Sequence, residues 1–150
     1  MKNVSLFIDV SNLYHSINRK YPNEKIDYNA YMDYCRGFGD VDFTRAYGSQ
    51  NSSQAEGFFA RLKKIGFEVY SKDISSDSKI SWDSQIIVDC LDIAKHTDLV
   101  ILGSASGNFV PLITRLLNTY KVKTVVLACG ISKRLESIST CIEIPRSLLL

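Results

Sequence analysis

The sequence predicts an α/β fold: an open, doubly wound, mainly parallel sheet of five or six strands, forming one domain over residues 1–150. Three observations predict it. Apolar runs of strand length alternate with helix-length amphipathic segments along the whole chain, which is the signature of repeated βαβ units. No linker, low-complexity tract or internal repeat interrupts that alternation. And 150 residues, 45% of them apolar and 23% charged, suffice to bury a core without metals or disulfides.

Taken in order, Val4 to Ile8 is a buried strand ending at Asp9. One Lys before this apolar run imitates a secretory leader, but Asp9 breaks the run after five residues and no small-residue cleavage site follows. A helix begins around Ser11 to Asn18, and a second covers Tyr28 to Phe38 with aromatics at helical spacing. Val41 to Tyr47 is the second strand. Ser53 to Ile65 is a helix with Phe58, Phe59, Leu62 and Ile65 on one side, closed by Gly66, and Phe67 to Tyr70 makes the third strand. The polar run Ser71 to Lys79 has no periodicity and reads as an exposed loop, a candidate substrate lid. Asp83 to Lys95 is a helix whose buried stripe is Ile86, Ile87, Cys90, Leu91 and Ala94. Leu99 to Leu102 is the most apolar strand, Val110 to Tyr120 a helix, Thr124 to Ala128 a strand, and Cys141 to Ile144 a short last strand with Pro145 suited to a sheet edge.

Bulk properties exclude several classes. No apolar run reaches the roughly 18 to 20 residues that cross a bilayer, so no membrane association is expected. Net charge is +2, so any nucleic-acid binding must come from local patches rather than overall basicity. Cys35, Cys90, Cys129 and Cys141 form no CxxC pair and read as reduced thiols of a cytoplasmic protein. His15 and His96 have no partner at metal-ligand spacing and read as surface or helix-packing residues.

Function in such sheets collects at the carboxyl ends of strands, in the crevice where strand order reverses. Two strand ends carry unusual polar content: Asp9 with Ser11 and Asn12, and the run Gly103-Ser104-Ala105-Ser106-Gly107-Asn108. A carboxylate closing a buried strand is costly unless paired, hydrogen-bonded or bound to a cation; the alternative for Asp9 is an N-cap of the following helix. Neither loop is a nucleophile elbow, because the third position of Gly103 to Gly107 is Ala105. The GK[ST] ending of a P-loop and a GxGxxG turn are absent as well.

What the two loops do resemble is a family. Phe7-Ile8-Asp9-Val10-Ser11-Asn12-Leu13-Tyr14 resembles the FIDGxNLY opening of the NYN/LabA-like domains, a branch of the PIN-like nucleases. Ile80-Ser81-Trp82-Asp83, continuing to Asp89, is similar to that family's KGVDVxLxxD segment, and Gly103 to Leu112 is similar to its SGDxDFxPL motif. The resemblance implies a Rossmann-like, PIN-type three-layer sandwich and metal-dependent hydrolysis of phosphodiester bonds, with RNA favoured, above all single-stranded RNA, and DNA as an alternative. It implies Mg²⁺ or Mn²⁺ as cofactor, because hard ions take oxygen ligands and paired ions activate water and stabilise the leaving oxygen. Asp9, Asp83 and Asn108 are then the catalytic and metal-binding set, with Asn12, Asp89, Ser104 and Ser106 as additional site candidates. Asp89 lies about 240° around an ideal helix from Asp83, so a packing or ion-pair role competes for it.

The chain departs from the family pattern in four places. Asp is replaced by Ser106 and Asn108, and Gly by Val10 and Ala105. Asn108 coordinates through an amide oxygen without charge, and Ser106 is a poorer ligand still. The enzyme reading therefore competes with a degenerate domain that binds RNA or protein without cutting, with an Asp→Asn exchange at 108 that traps an enzyme by keeping shape and removing charge, and with a nucleotide-binding α/β protein using the same crevice. For nucleic-acid contact, Trp82 and Tyr14 are the candidate stacking residues, with an aromatic core role as the alternative for Trp82. Lys79, Arg115, Arg19, Lys20, Arg45, Lys63, Lys64 and Lys72 are the candidate phosphate partners. The aromatic stretch Tyr28 to Phe38 offers an apolar surface for a homodimer.

Overall fold

Six parallel strands form a single sheet in the order β3-β2-β1-β4-β5-β6, in a computed structural model that describes residues 2–50, 53–73 and 81–150. The strands are β1 (Asn3–Asp9), β2 (Asp40–Gln50), β3 (Glu68–Asp73), β4 (Leu99–Gly103), β5 (Lys123–Ala128) and β6 (Thr140–Glu143), and the helices are α1 (Val10–Lys20), α2 (Tyr28–Arg36), α3 (Ser53–Ile65), α4 (Asp83–Ile93) and α5 (Val110–Tyr120). The order runs outward in both directions from the β1–β4 pair, so the switch point falls between those strands, as expected. Short 3₁₀ turns follow α4, β4 and β5.

β1 and β4 are apolar on both faces because helices cover both faces. Side chains alternate along β1. Ile8 faces one way with Gly103, where Tyr31 of α2 packs and donates its hydroxyl to the Leu127 carbonyl at 2.8 Å. A Cβ on Gly103 would stand 2.6 Å from Ile8 Cγ2 and 2.7 Å from the Tyr31 hydroxyl, so only glycine ends β4 under that ring. On the same side Gly48 lies beneath Phe59 of α3. Phe7 and Asp9 face the other way with Tyr47, which reaches α4 through Asp89. The three-layer sandwich is thus α1–α3, sheet, and α4–α5.

Two expectations shift on this scaffold. Ser71–Asp73 belongs to β3 rather than to a loop, because it stays in register with Gly48–Gln50 of β2; residues 74–79, the rest of the expected lid, lie outside the described residues. The aromatic stretch on α2 serves the interior. Tyr28, Tyr31, Met32 and Cys35 are buried, and Tyr28 packs against Phe58 and Phe67, leaving Tyr34 as its exposed aromatic, so the apolar homodimer surface expected there is largely spent on the core. All four cysteines are free thiols, three of them buried. Among the described residues no helix is long and apolar enough to cross a membrane.

Candidate active site

The crevice at the carboxyl ends of β1 and β4 collects side chains from four separate segments. Asp9 ends β1, 8% exposed, and its Oδ1 accepts the backbone N–H of Asn12 at 3.1 Å, so it does cap α1. Its role does not stop there. Burial pushes its carboxyl pKa above the ordinary value; the backbone donors at Asn12 and Ser11 pull it back, and the charge of Asp83 adds to the rise. Asp83, the first residue of α4, thus shares the crevice with Asp9 and repels it. Neither carboxylate is ion-paired with a Lys or Arg among the described residues.

Asp83 finds its partners on the loop after β4. Its Oδ2 accepts Nδ2–H of Asn108 at 2.9 Å and the Ser106 hydroxyl at 3.2 Å. The loop is wound by its own side chains: Ser106 Oγ accepts the Asn108 backbone N–H at 3.2 Å, and Ser104 Oγ accepts that of Ser106 at 3.3 Å. It is tied across the switch point to α1, because Asn12 Oδ1 accepts the Ala105 backbone N–H at 3.1 Å. Asn12 is therefore a strap rather than a free polar group. Residues 9, 12, 83, 104, 106 and 108 are brought together. Among the described residues, however, no group of three or more His, Cys, Asp or Glu could hold a metal ion.

An NYN domain family model matches residues 3–143, the whole sheet with both loops of this crevice. The chain belongs to the NYN domain family. A solved structure of a protein of unknown function from Vibrio parahaemolyticus is similar to it, with a TM-score of 0.89 and 27% identity over 99% of this chain and 96% of that one. No curated protein matches.

Other expected site residues of the NYN domain stand elsewhere. Asp89, 7% exposed, pairs with Arg45 at 3.1 Å and accepts from the Tyr47 hydroxyl at 2.5 Å and Gln85 Nε2 at 2.9 Å. The ion-pair alternative is the one observed. Arg45 is correspondingly withdrawn from any phosphate: it lies between the rings of Phe43 and Tyr70 and also reaches Glu68 at 3.3 Å. Trp82 is 3% exposed and packs on Tyr47 with ring centroids 5.6 Å apart, so no base can stack on it. The apolar face of Tyr47 competes for the indole more strongly than solvent does. Tyr14 is 56% exposed on α1, and Arg115 is exposed on α5. Lys79 lies outside the described residues.

One crevice residue escaped sequence reasoning. Arg134, in the 3₁₀ turn Lys133–Leu135 after β5, sets its guanidinium against Gly107, the residue between Ser106 and Asn108. The available signal was the Lys133-Arg134 pair just beyond a third strand end. It was outweighed because that loop carries no motif.

Proposed function

We propose that this NYN domain is a metal-dependent nuclease, hydrolysing phosphodiester bonds of single-stranded RNA at the Asp9–Asp83 crevice, with a site weakened at Ser106 and Asn108. Membership of a nuclease-type family supports the reaction class. The observation that carries the site is electrostatic: two carboxylates from distant segments face one crevice, the charge of Asp83 adds to the cost of ionising the buried Asp9, and neither is ion-paired with a Lys or Arg among the described residues. Each already accepts hydrogen bonds from neutral donors, and a bound cation would offset the charge that those donors leave.

The donors fit one hard ion such as Mg²⁺ or Mn²⁺ rather than a pair. Asp9, Asp83 and the amide oxygen of Asn108 would hold it, with two negative charges in place of the family's four. When bound, the ion supplies an activated water and stabilises the leaving oxygen. The protein's own contribution is placement. The Asn12 strap keeps the β4 loop against β1, so that residues 106 and 108 stay opposite Asp83. The test is Mn²⁺- or Mg²⁺-dependent cleavage of single-stranded RNA. Asn108→Asp should raise it and Asp9→Ala should abolish it; an absence of cleavage by Asn108→Asp under every divalent ion tried defeats the reading.

A second reading is favoured by one specific contact pair. The amide of Asn108 and the hydroxyl of Ser106 already donate to Asp83, so two neutral donors occupy the oxygen that an ion would use. On this reading the domain binds RNA without cutting. Binding would then be independent of metal and indifferent to Asp9→Ala.

A further inference from the structure

We propose that Arg134 is the phosphate anchor of the crevice, gripping the polynucleotide backbone beside the two aspartates, a role that rests on the nucleic-acid reading above. Three observations carry it. First, the guanidinium lies directly on the bare backbone of Gly107: a Cβ built there would stand 2.8 Å from both Cζ and Nε of Arg134 and closer still to its terminal nitrogen, so any larger residue at 107 pushes the guanidinium off the loop. Second, the Arg134 turn is fixed to the crevice loop, because the Ser132 N–H donates to the Ala105 carbonyl at 3.1 Å and Leu135 behind it is fully buried. Ala105 is the same residue whose N–H is held by Asn12, so one short segment after β4 links α1 and the turn after β5. Third, Arg134 is exposed and no carboxylate among the described residues pairs with it, whereas Arg36, Arg45 and Arg146 all have acidic partners.

The chemistry of the crevice requires such a group. Asp9 and Asp83 repel a polyanion, so a strand approaching them needs a cation close enough to offset that repulsion. A planar guanidinium presents paired donors that match phosphate oxygens. Arg45, a candidate of the same charge, fails on position, because aromatic rings and carboxylates enclose it.

Fluorescence anisotropy with a fluorescein-labelled single-stranded RNA, in EDTA across a salt series, tests the assignment. Arg134→Gln should weaken binding about tenfold and lower the salt slope by about 0.7, the value of one phosphate on a single strand. Gly107→Ala should act in the same direction by displacing the flexible guanidinium, and adding it to Arg134→Gln should have little further effect. Lys123→Gln, at the opposite end of the sheet, is the control and should change neither. Thermal unfolding of each variant, expected within a few degrees of the parent, guards against loss of fold. Wild-type binding with an unchanged Arg134→Gln affinity and slope overturns the anchor and leaves the nucleic-acid reading standing. No RNA binding by the wild type overturns both.

Discussion

Replacing Asn108 with Asp converts a hydrogen bond into a repulsion, and the structure sets its size. Asn108 Nδ2 stands 2.9 Å from Asp83 Oδ2, so the new carboxylate oxygen would begin at about that separation. Two unit charges ~3 Å apart repel by about 1.4 kcal/mol in water and about 5.5 kcal/mol at an effective dielectric of ~20. Asn108 is exposed, which places the pair near the water limit, and rotation of the free side chain relieves part of the strain. Loss of the donated hydrogen bond adds about 1 kcal/mol. The net cost in EDTA is therefore about 2 kcal/mol, a fall of roughly 4 to 8 °C in Tm for a domain of this size. Saturating Mn²⁺ at ~100 times its Kd returns about 2.7 kcal/mol. Differential scanning fluorimetry of wild type and variant, in EDTA and in Mn²⁺, reads both effects. The reasoning fails if the variant melts with the wild type in EDTA, or if Mn²⁺ raises the two melting temperatures equally.

Three further outcomes follow from the same contacts. Asp9→Asn keeps the oxygen that caps α1 but removes the buried charge. Because the folded-state pKa of Asp9 is raised, its favourable contribution is complete below 3.8 and is lost as pH rises through the folded value, so the variant should melt higher than wild type at pH 7 and the gap should close as pH falls towards 3.8; a constant gap from pH 3.5 to 7 contradicts this. Asp89→Ala leaves the buried Tyr47 hydroxyl without its acceptor and the half-buried Arg45 with Glu68 alone, and should cost about 3 kcal/mol in urea unfolding; an unchanged midpoint accompanied by weaker Mn²⁺ binding would return Asp89 to the site. Trp82→Ala should cost about 3 to 5 kcal/mol as a core truncation, and a loss of RNA affinity at unaltered stability would show instead that the indole meets the ligand.

The fold was legible because the apolar runs were clean. Leu99–Leu102 has no polar interruption and Val4–Ile8 has only Ser5, whose buried hydroxyl donates to Thr97 Oγ1 at 2.9 Å, as suits strands buried on both faces between helices. The convergence of 9, 83 and 108 followed from the switch point, which places the ends of β1 and β4 side by side whatever the intervening 80-odd residues do. What the sequence concealed were contacts decided by three-dimensional competition. Trp82 stands beside Asp83 in the chain, yet the ring of Tyr47 lies within reach of its indole and buries it. Asp89 matches a family position, yet Arg45, more than forty residues earlier, claims it. The end of β3 looked like loop because its polar residues carry no period, while its backbone pairs with β2 without needing one. Arg134 was invisible for the converse reason: its significance lies in the missing side chain of Gly107.

The most direct measurement is isothermal titration calorimetry of Mn²⁺ into the wild-type chain, Asn108→Asp and Asp83→Ala, each checked for fold by circular dichroism. A cation held between Asp9 and Asp83 predicts one binding event in the wild type, tighter in Asn108→Asp and absent in Asp83→Ala. Isotherms that are flat for all three, or unaltered by Asp83→Ala, contradict a metal centre in this crevice.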